Sequence, residues 1–102
     1  MDALEYRMLE EDFPTFLKEL IEWEQIESNA LGITKQVLSK GVDSLSEKQM
    51  FVFKTYVVKA NFVDMCERCA NKIPWHEMVS AHRNGGFCDY CEHMRHRASE
   101  SD

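Results

Sequence analysis

The sequence predicts a mainly α-helical protein. An antiparallel helical body occupies residues 1–63, a small four-cysteine finger residues 64–97, and a disordered tail residues 98–102. Three observations predict it. Apolar residues recur at helical spacing through residues 13–30 and again through 50–62. Helix start signals stand at Asp12-Phe13-Pro14 and at Ser46-Glu47-Lys48-Gln49. All four cysteines come late in the chain, as two Cys-x-x-Cys pairs. A chain of 102 residues, 44% hydrophobic, is one domain or one domain with a small appendage. Its core is small enough that a covalent or metal staple would contribute usefully to stability.

Residues 3–11 read as a short leading helix with Leu4, Met8 and Leu9 inward. Asp12 or Phe13 then caps the next helix. Pro14 is its first residue, where the missing N–H costs nothing. Phe13, Phe16, Leu17, Leu20, Ile21, Trp23, Ile26 and Ala30 form its inner stripe. Gly32 either breaks this helix or lies within one that continues through Val37 and Leu38 to Lys40, with Gly41 as the C-terminal cap. Residues 41–45 form a connection short enough to make the helices on either side of it an antiparallel pair. At the head of the second helix Ser46 and Gln49 form a capping box, although Ser44 with Glu47 offers the same pattern two residues earlier. Met50, Phe53, Val57 and Ala60 line the second stripe, widened by Phe51, Val58 and Phe62. The β-branched and aromatic residues of this stretch also suit a strand. The capping box and the lysines at 48, 54 and 59 select helix.

Cys66-Glu67-Arg68-Cys69 and Cys88-Asp89-Tyr90-Cys91 are separated by eighteen residues. Each Cys-x-x-Cys turn aims two thiolates at one centre, and the gap matches that of paired zinc knuckles. The expected cofactor is one Zn²⁺ held by Cys66, Cys69, Cys88 and Cys91. With all four positions taken by thiolates the site is structural rather than catalytic. Four thiolates also suit iron. Two disulfides would require an oxidising compartment, and the acidic start Met1-Asp2-Ala3-Leu4-Glu5 lacks the form of an export signal. The expected location is therefore cytoplasmic. His76, His82, His93 and His96 all lie between or after the knuckles, and one of them could replace a cysteine as ligand. Between the knuckles, Ile73-Pro74 leaves the first one extended. Trp75, Met78 and Val79 are expected to cover the metal, and Asn84-Gly85-Gly86 to turn Phe87 into the second knuckle. A helix starting near Cys88 or Cys91 would set its positive N-terminal dipole against the thiolates. Knuckle, short hairpin and helix make a treble-clef finger. Loss of any knuckle cysteine is expected to unfold residues 66–97 while the helical body at least partly persists.

Cys66-x-x-Cys69-x-x-x-Ile73-Pro74, then Ala81, then Cys88-x-x-Cys91, resembles the zinc finger of the DksA/TraR group of bacterial regulators. The resemblance covers about residues 66–97. It departs from that family at Ala70, where the family usually has Gly, and in the segment before the finger. It implies the four zinc ligands and, through the family's habit, RNA polymerase as a partner. The spacing is also similar to that of the GATA-type DNA-binding finger.

The net charge of −6 is uneven. Residues 1–27 carry nine acidic side chains against Arg7 and Lys18, whereas residues 66–97 are nearly balanced. This is not the footprint of a dedicated nucleic-acid binder. The longest apolar run, Met50–Phe53, is far too short to cross a membrane. No nucleophile–base arrangement, phosphate loop or convincing carboxylate pair is present, so no enzyme activity is expected. His76-Glu77 with His82 only weakly imitates a metal-dependent nuclease. The expected function is a small zinc-stabilised regulator of a protein partner, RNA polymerase or another nucleic-acid enzyme. A GATA-like nucleic-acid finger and a phage or mobile-element inhibitor of a host enzyme are the alternatives. Arg68, Lys72, Arg83, Arg95 and Arg97 are the candidate partner contacts.

Overall fold

The computed structural model describes the backbone over residues 3–100 and side chains through Arg95. Helices are α1 (Ala3–Arg7), α2 (Phe13–Glu22), α3 (Ser28–Lys40), α4 (Glu47–Val52), α5 (Trp75–Arg83) and α6 (Asp89–Glu100). There is no β-strand among the described residues, only an isolated antiparallel bridge between Met65 and Lys72. Residues 98–100, expected in the tail, continue α6, and 101–102 lie outside the described residues.

The long helix expected from Pro14 onward divides at Trp23–Glu27, not at Gly32, which sits inside α3. Glu24 takes the left-handed conformation (φ 55°). The Glu24 N–H then reaches the Ile21 carbonyl at 3.1 Å and the Gln25 N–H the Leu20 carbonyl at 2.9 Å. This is a Schellman stop built without glycine, so composition carries no warning of it. As a consequence Trp23 lies at the helix end and is 54% exposed instead of facing the core. Leu9 is also exposed, because α1 ends at Arg7 before reaching it. Gly41 (φ 90°) closes α3 as expected.

The Ser46–Gln49 capping box is present in both directions and starts a helix, not a strand. After Val52 the run widens to a π-helix over Phe53–Val58 and tightens to a 3₁₀ turn over Lys59–Asn61. A helix closing i→i+5 bonds turns less per residue, so residues five apart come one above the other. That brings Val58 beside Phe53 and Val57 on the buried face, while Phe51 and Ala60 are exposed. The buried Asn61 amide donates to the Val57 carbonyl at 2.8 Å, so this polar side chain is paired within the core.

The core runs without interruption from the body into the finger. Phe13, Phe16, Leu17 and Leu20 of α2 pack with Phe53, Val57 and Val58, and with Ile73, Trp75, Met78 and Val79. Trp75 is its centre, with ring centroids 4.8 Å from Phe13, 4.7 Å from Phe16 and 5.6 Å from Phe62. Cys66 and Cys91 belong to the same cluster. No described helix is long and apolar enough to cross a membrane.

Candidate metal centre

The first knuckle is a tight turn. The Cys66 N–H donates to the Asn71 carbonyl at 2.9 Å, and the Ala70 N–H returns to the Cys66 carbonyl at 3.0 Å. Ala70 completes the turn at φ 59°. For a residue with a Cβ this left-handed conformation costs about 1–2 kcal/mol.

The second knuckle straddles a helix start. Cys88 immediately precedes α6 and Cys91 lies in its first turn. Both sulfurs therefore lie at the positive end of the α6 dipole, as the sequence predicts.

Between the knuckles the expected hairpin is replaced by α5. Its apolar side, Trp75, Met78, Val79 and Ala81, is buried. Trp75 does not cover the metal position: it is taken up by Phe13 and Phe16 of α2. The Asn84-Gly85-Gly86 turn does form. The Asn84 side chain accepts from the Gly86 and Phe87 N–H groups and donates to the Phe87 carbonyl. Gly86 then bridges the knuckles, its carbonyl accepting the Glu67 N–H at 2.8 Å. A Cβ there would stand 2.9 Å from Cγ of Glu67, and the φ of 104° lies where glycine is favoured.

Two helix starts are capped from other elements. Pro74 at the head of α5 has no capping side chain, and Asp12 supplies one by accepting the His76 N–H at 3.2 Å. Glu77 of α5 accepts the Asp89 N–H at 2.9 Å at the head of α6. A helix N-terminus needs such acceptors. Here they fix α5 on α2, and α6 on α5, and so set one knuckle relative to the other.

The result is that the Sγ atoms of Cys66, Cys69, Cys88 and Cys91 lie within 4.8 Å of one another. All four are free of disulfides. The Cys69 and Cys88 sulfurs are 3.8 Å apart. Sulfurs at about 2.3 Å from a tetrahedral ion stand about 3.8 Å from each other, so the donor set fits a four-coordinate metal. Cys66 and Cys91 are 3% and 2% exposed, while Cys69 faces solvent. The Arg68 and Cys88 N–H groups each point at the Cys66 sulfur from 3.4 Å.

Burial pushes the Cys66 thiol up, but the N–H groups of Cys69, Cys88 and Arg68 outweigh it and bring it down to about 6. At Cys91, burial and the neighbouring thiols act together and push it up to about 12. At Cys88 the Cys91 N–H and side chain act to lower the thiol, but burial and the Cys66 and Cys69 side chains prevail and raise it. Sulfurs held this close resist sharing several negative charges unless a cation lies between them.

The predicted contact residues are scattered and mostly engaged. Lys72 pairs with Glu10 of the body. Arg83 stacks on Trp23, 4.6 Å from the ring centroid. Arg95 binds both oxygens of Glu92 and covers the Phe87 ring. Arg68 is exposed, and the Arg97 side chain lies outside the described residues. No histidine joins the described cysteine cluster: His76 bonds Asp12, and His82 and His93 are exposed. Sequence reasoning missed the long-range roles of Asp12, Glu77 and Arg7: Asp12, expected to cap α2, makes no side-chain cap there and caps α5 instead. Each of the three acts through a single charged side chain whose hydrogen-bond partner is 12 to 66 positions away.

No protein-family model matches the chain, and no curated protein or solved structure matches it significantly.

Proposed function

We propose that this is a small zinc-stabilised regulatory protein, not an enzyme, that acts by binding a macromolecular protein partner. RNA polymerase or another nucleic-acid enzyme is the first class to test. The observation that carries the reading is the gathering of four cysteine sulfurs within 4.8 Å of one another, at the edge of the shared core. An all-cysteine tetrahedral site leaves no position for substrate or activated water, and zinc is the metal that most often fills it. Its service is to hold the two knuckles, and the helices attached to them, in one arrangement.

Function then falls to the surface. Tyr6, Leu9, Trp23, Phe51 and Tyr56 are large apolar side chains exposed on the body. Aromatic residues in such positions are the usual anchors of protein interfaces. Direct nucleic-acid binding is the weaker reading. Lys72, Arg83 and Arg95 are already held by carboxylates or rings, and residues 1–27 are strongly acidic.

Two measurements test the reading together. Metal analysis of protein purified without added metal should find one zinc per chain; iron or no metal would reject the zinc assignment. Affinity capture of the tagged protein from native lysate, with and without nuclease, should recover one protein complex that survives nuclease. Recovery that disappears with nuclease would reject the protein-partner reading.

A further inference from the structure

A groove of about 330 Å³ opens where the α1–α2 connection and the start of α2 meet the end of α3 and the turn that follows it. Its floor is the buried Phe13, Leu17 and Val37, and its wall includes Leu9, which is 60% exposed. Leu9 lies beyond the end of α1 and presents an apolar side chain to solvent at the groove mouth. Three carboxylates, those of Glu10, Glu11 and Asp43, line the groove, and among the described residues no lysine or arginine does. Glu10 is shared between Arg7 and Lys72. Glu11 and Asp43 are exposed.

We propose that this groove docks a basic amphipathic helix of a partner protein. The inference rests on the protein-binding reading above and specifies where the partner sits and what it presents. An apolar floor selects an apolar stripe, the i, i+3, i+4, i+7 pattern of a helix laid in a groove. The acidic rim selects lysine or arginine beside that stripe. Charge decides against the other occupants. A second copy of this chain brings a net charge of −6 to a rim of the same sign. Nucleic acid and anionic lipid are repelled by the same carboxylates.

The test uses the full metal-loaded chain. The probe is a fluorescent peptide of about 14 residues with leucine at the stripe positions and lysine elsewhere. One control has glutamate in place of lysine. A second has the same composition as the probe with the leucines dispersed. Binding is read by anisotropy and mapped by amide NMR. The lysine peptide should saturate at one per chain, with shifts concentrated around Leu9, Val37 and Val42. Each control should bind at least about tenfold more weakly. Glu11→Lys with Asp43→Lys should lower affinity by about tenfold, and Leu9→Ser by severalfold. Asn29→Ser, exposed at the N-terminal end of α3 away from the groove, should change nothing. Unchanged melting shows that these surface variants remain folded.

Equal binding of dispersed and amphipathic peptides, shifts spread over the whole acidic surface, or an unchanged double variant would overturn the groove assignment. Repeating the lysate capture separates the two readings. A partner recovered equally by wild type and the double variant leaves the regulator reading standing and removes the groove. Localised peptide binding with no nuclease-resistant partner keeps the groove and rejects the regulator reading.

Discussion

Arg7 and Trp75 are bound to each other twice. The indole N–H donates to the Arg7 carbonyl at 2.6 Å, and the Arg7 guanidinium lies 4.8 Å from the indole ring centroid. The same guanidinium donates to the Ile73 carbonyl at 2.6 Å. One residue of the first helix thus holds the segment that leads out of the first knuckle into α5. The Arg7 side chain is 12% exposed, and its Nη1 is buried with no hydrogen-bond partner among the described residues.

Arg7→Ala should therefore destabilise the whole protein by about 2–3 kcal/mol, through loss of a charged hydrogen bond and a desolvated cation–ring contact. Arg7→Lys should recover less than half of this, because an ammonium cannot stack and reach the Ile73 carbonyl in the same planar geometry. Denaturant midpoints at a fixed slope measure both. A loss of less than about 0.5 kcal/mol, the range of an ordinary surface substitution, would refute the clamp.

Removing the metal should unfold the chain as one unit. A structural zinc site contributes about 10–16 kcal/mol in isolated finger peptides, against a net stability of about 5–15 kcal/mol for a whole domain. Cys66 and Cys91 are part of the same core as Phe16 and Val57. The shared core predicts a larger effect than the sequence-based expectation that the body at least partly survives a cysteine loss. Chelation, or Cys91→Ser, should abolish the cooperative melting transition. In a Trp23→Phe background it should shift Trp75 emission to the red. A retained transition with helical signal from residues 13–61 would show that the body folds alone.

Acid should loosen the body–finger junction. Burial pushes the Glu10 carboxyl up, but Lys72 and Arg7 outweigh it and hold it below its ordinary 4.5. Burial likewise raises Asp12, and its hydrogen bonds with His76 bring it below 3.8. A depressed folded pKa contributes stability that is complete above the unfolded value and is lost as pH falls through the folded one. Glu19 and Asp89 have the opposite sign. Burial, reinforced at Glu19 by Glu22 and at Asp89 by Glu77, raises both, so their protonation offsets part of the loss as pH falls. Urea midpoints between pH 7 and 3 should decline mainly below about pH 4.5. Glu10→Gln with Asp12→Asn should flatten that limb and leave any metal-release step in place. The same acid slope in the double variant and wild type would refute the assignment.

Ala70→Gly should stabilise the metal-loaded protein by up to about 1 kcal/mol, since glycine takes φ 59° without the Cβ penalty but widens the unfolded ensemble. The change should appear as a higher melting temperature with unchanged metal stoichiometry. A lower one would mean that the left-handed turn is not strained.

Several features of this protein are local, and the sequence alone determined them. The ligand spacing, the Ser46–Gln49 capping box, Pro14 at the head of α2, the Gly41 stop and the Asn84-Gly85-Gly86 turn each depend on residues within a few positions of one another. Their chemistry is therefore visible in a short window of sequence. Tertiary structure alone decided the rest. Glu24 stops α2 in a conformation that its residue type disfavours. The π-helix aligns Phe53 with Val58 only because there is a core to face. α5 stands where a hairpin was expected, because Asp12 caps it and α2 covers its apolar side. Trp75 and the two buried cysteines share one core, and Arg7, 68 positions before Trp75, binds that indole. Such pairings lower the free energy only once distant segments have met, and no local pattern records which segments will do so.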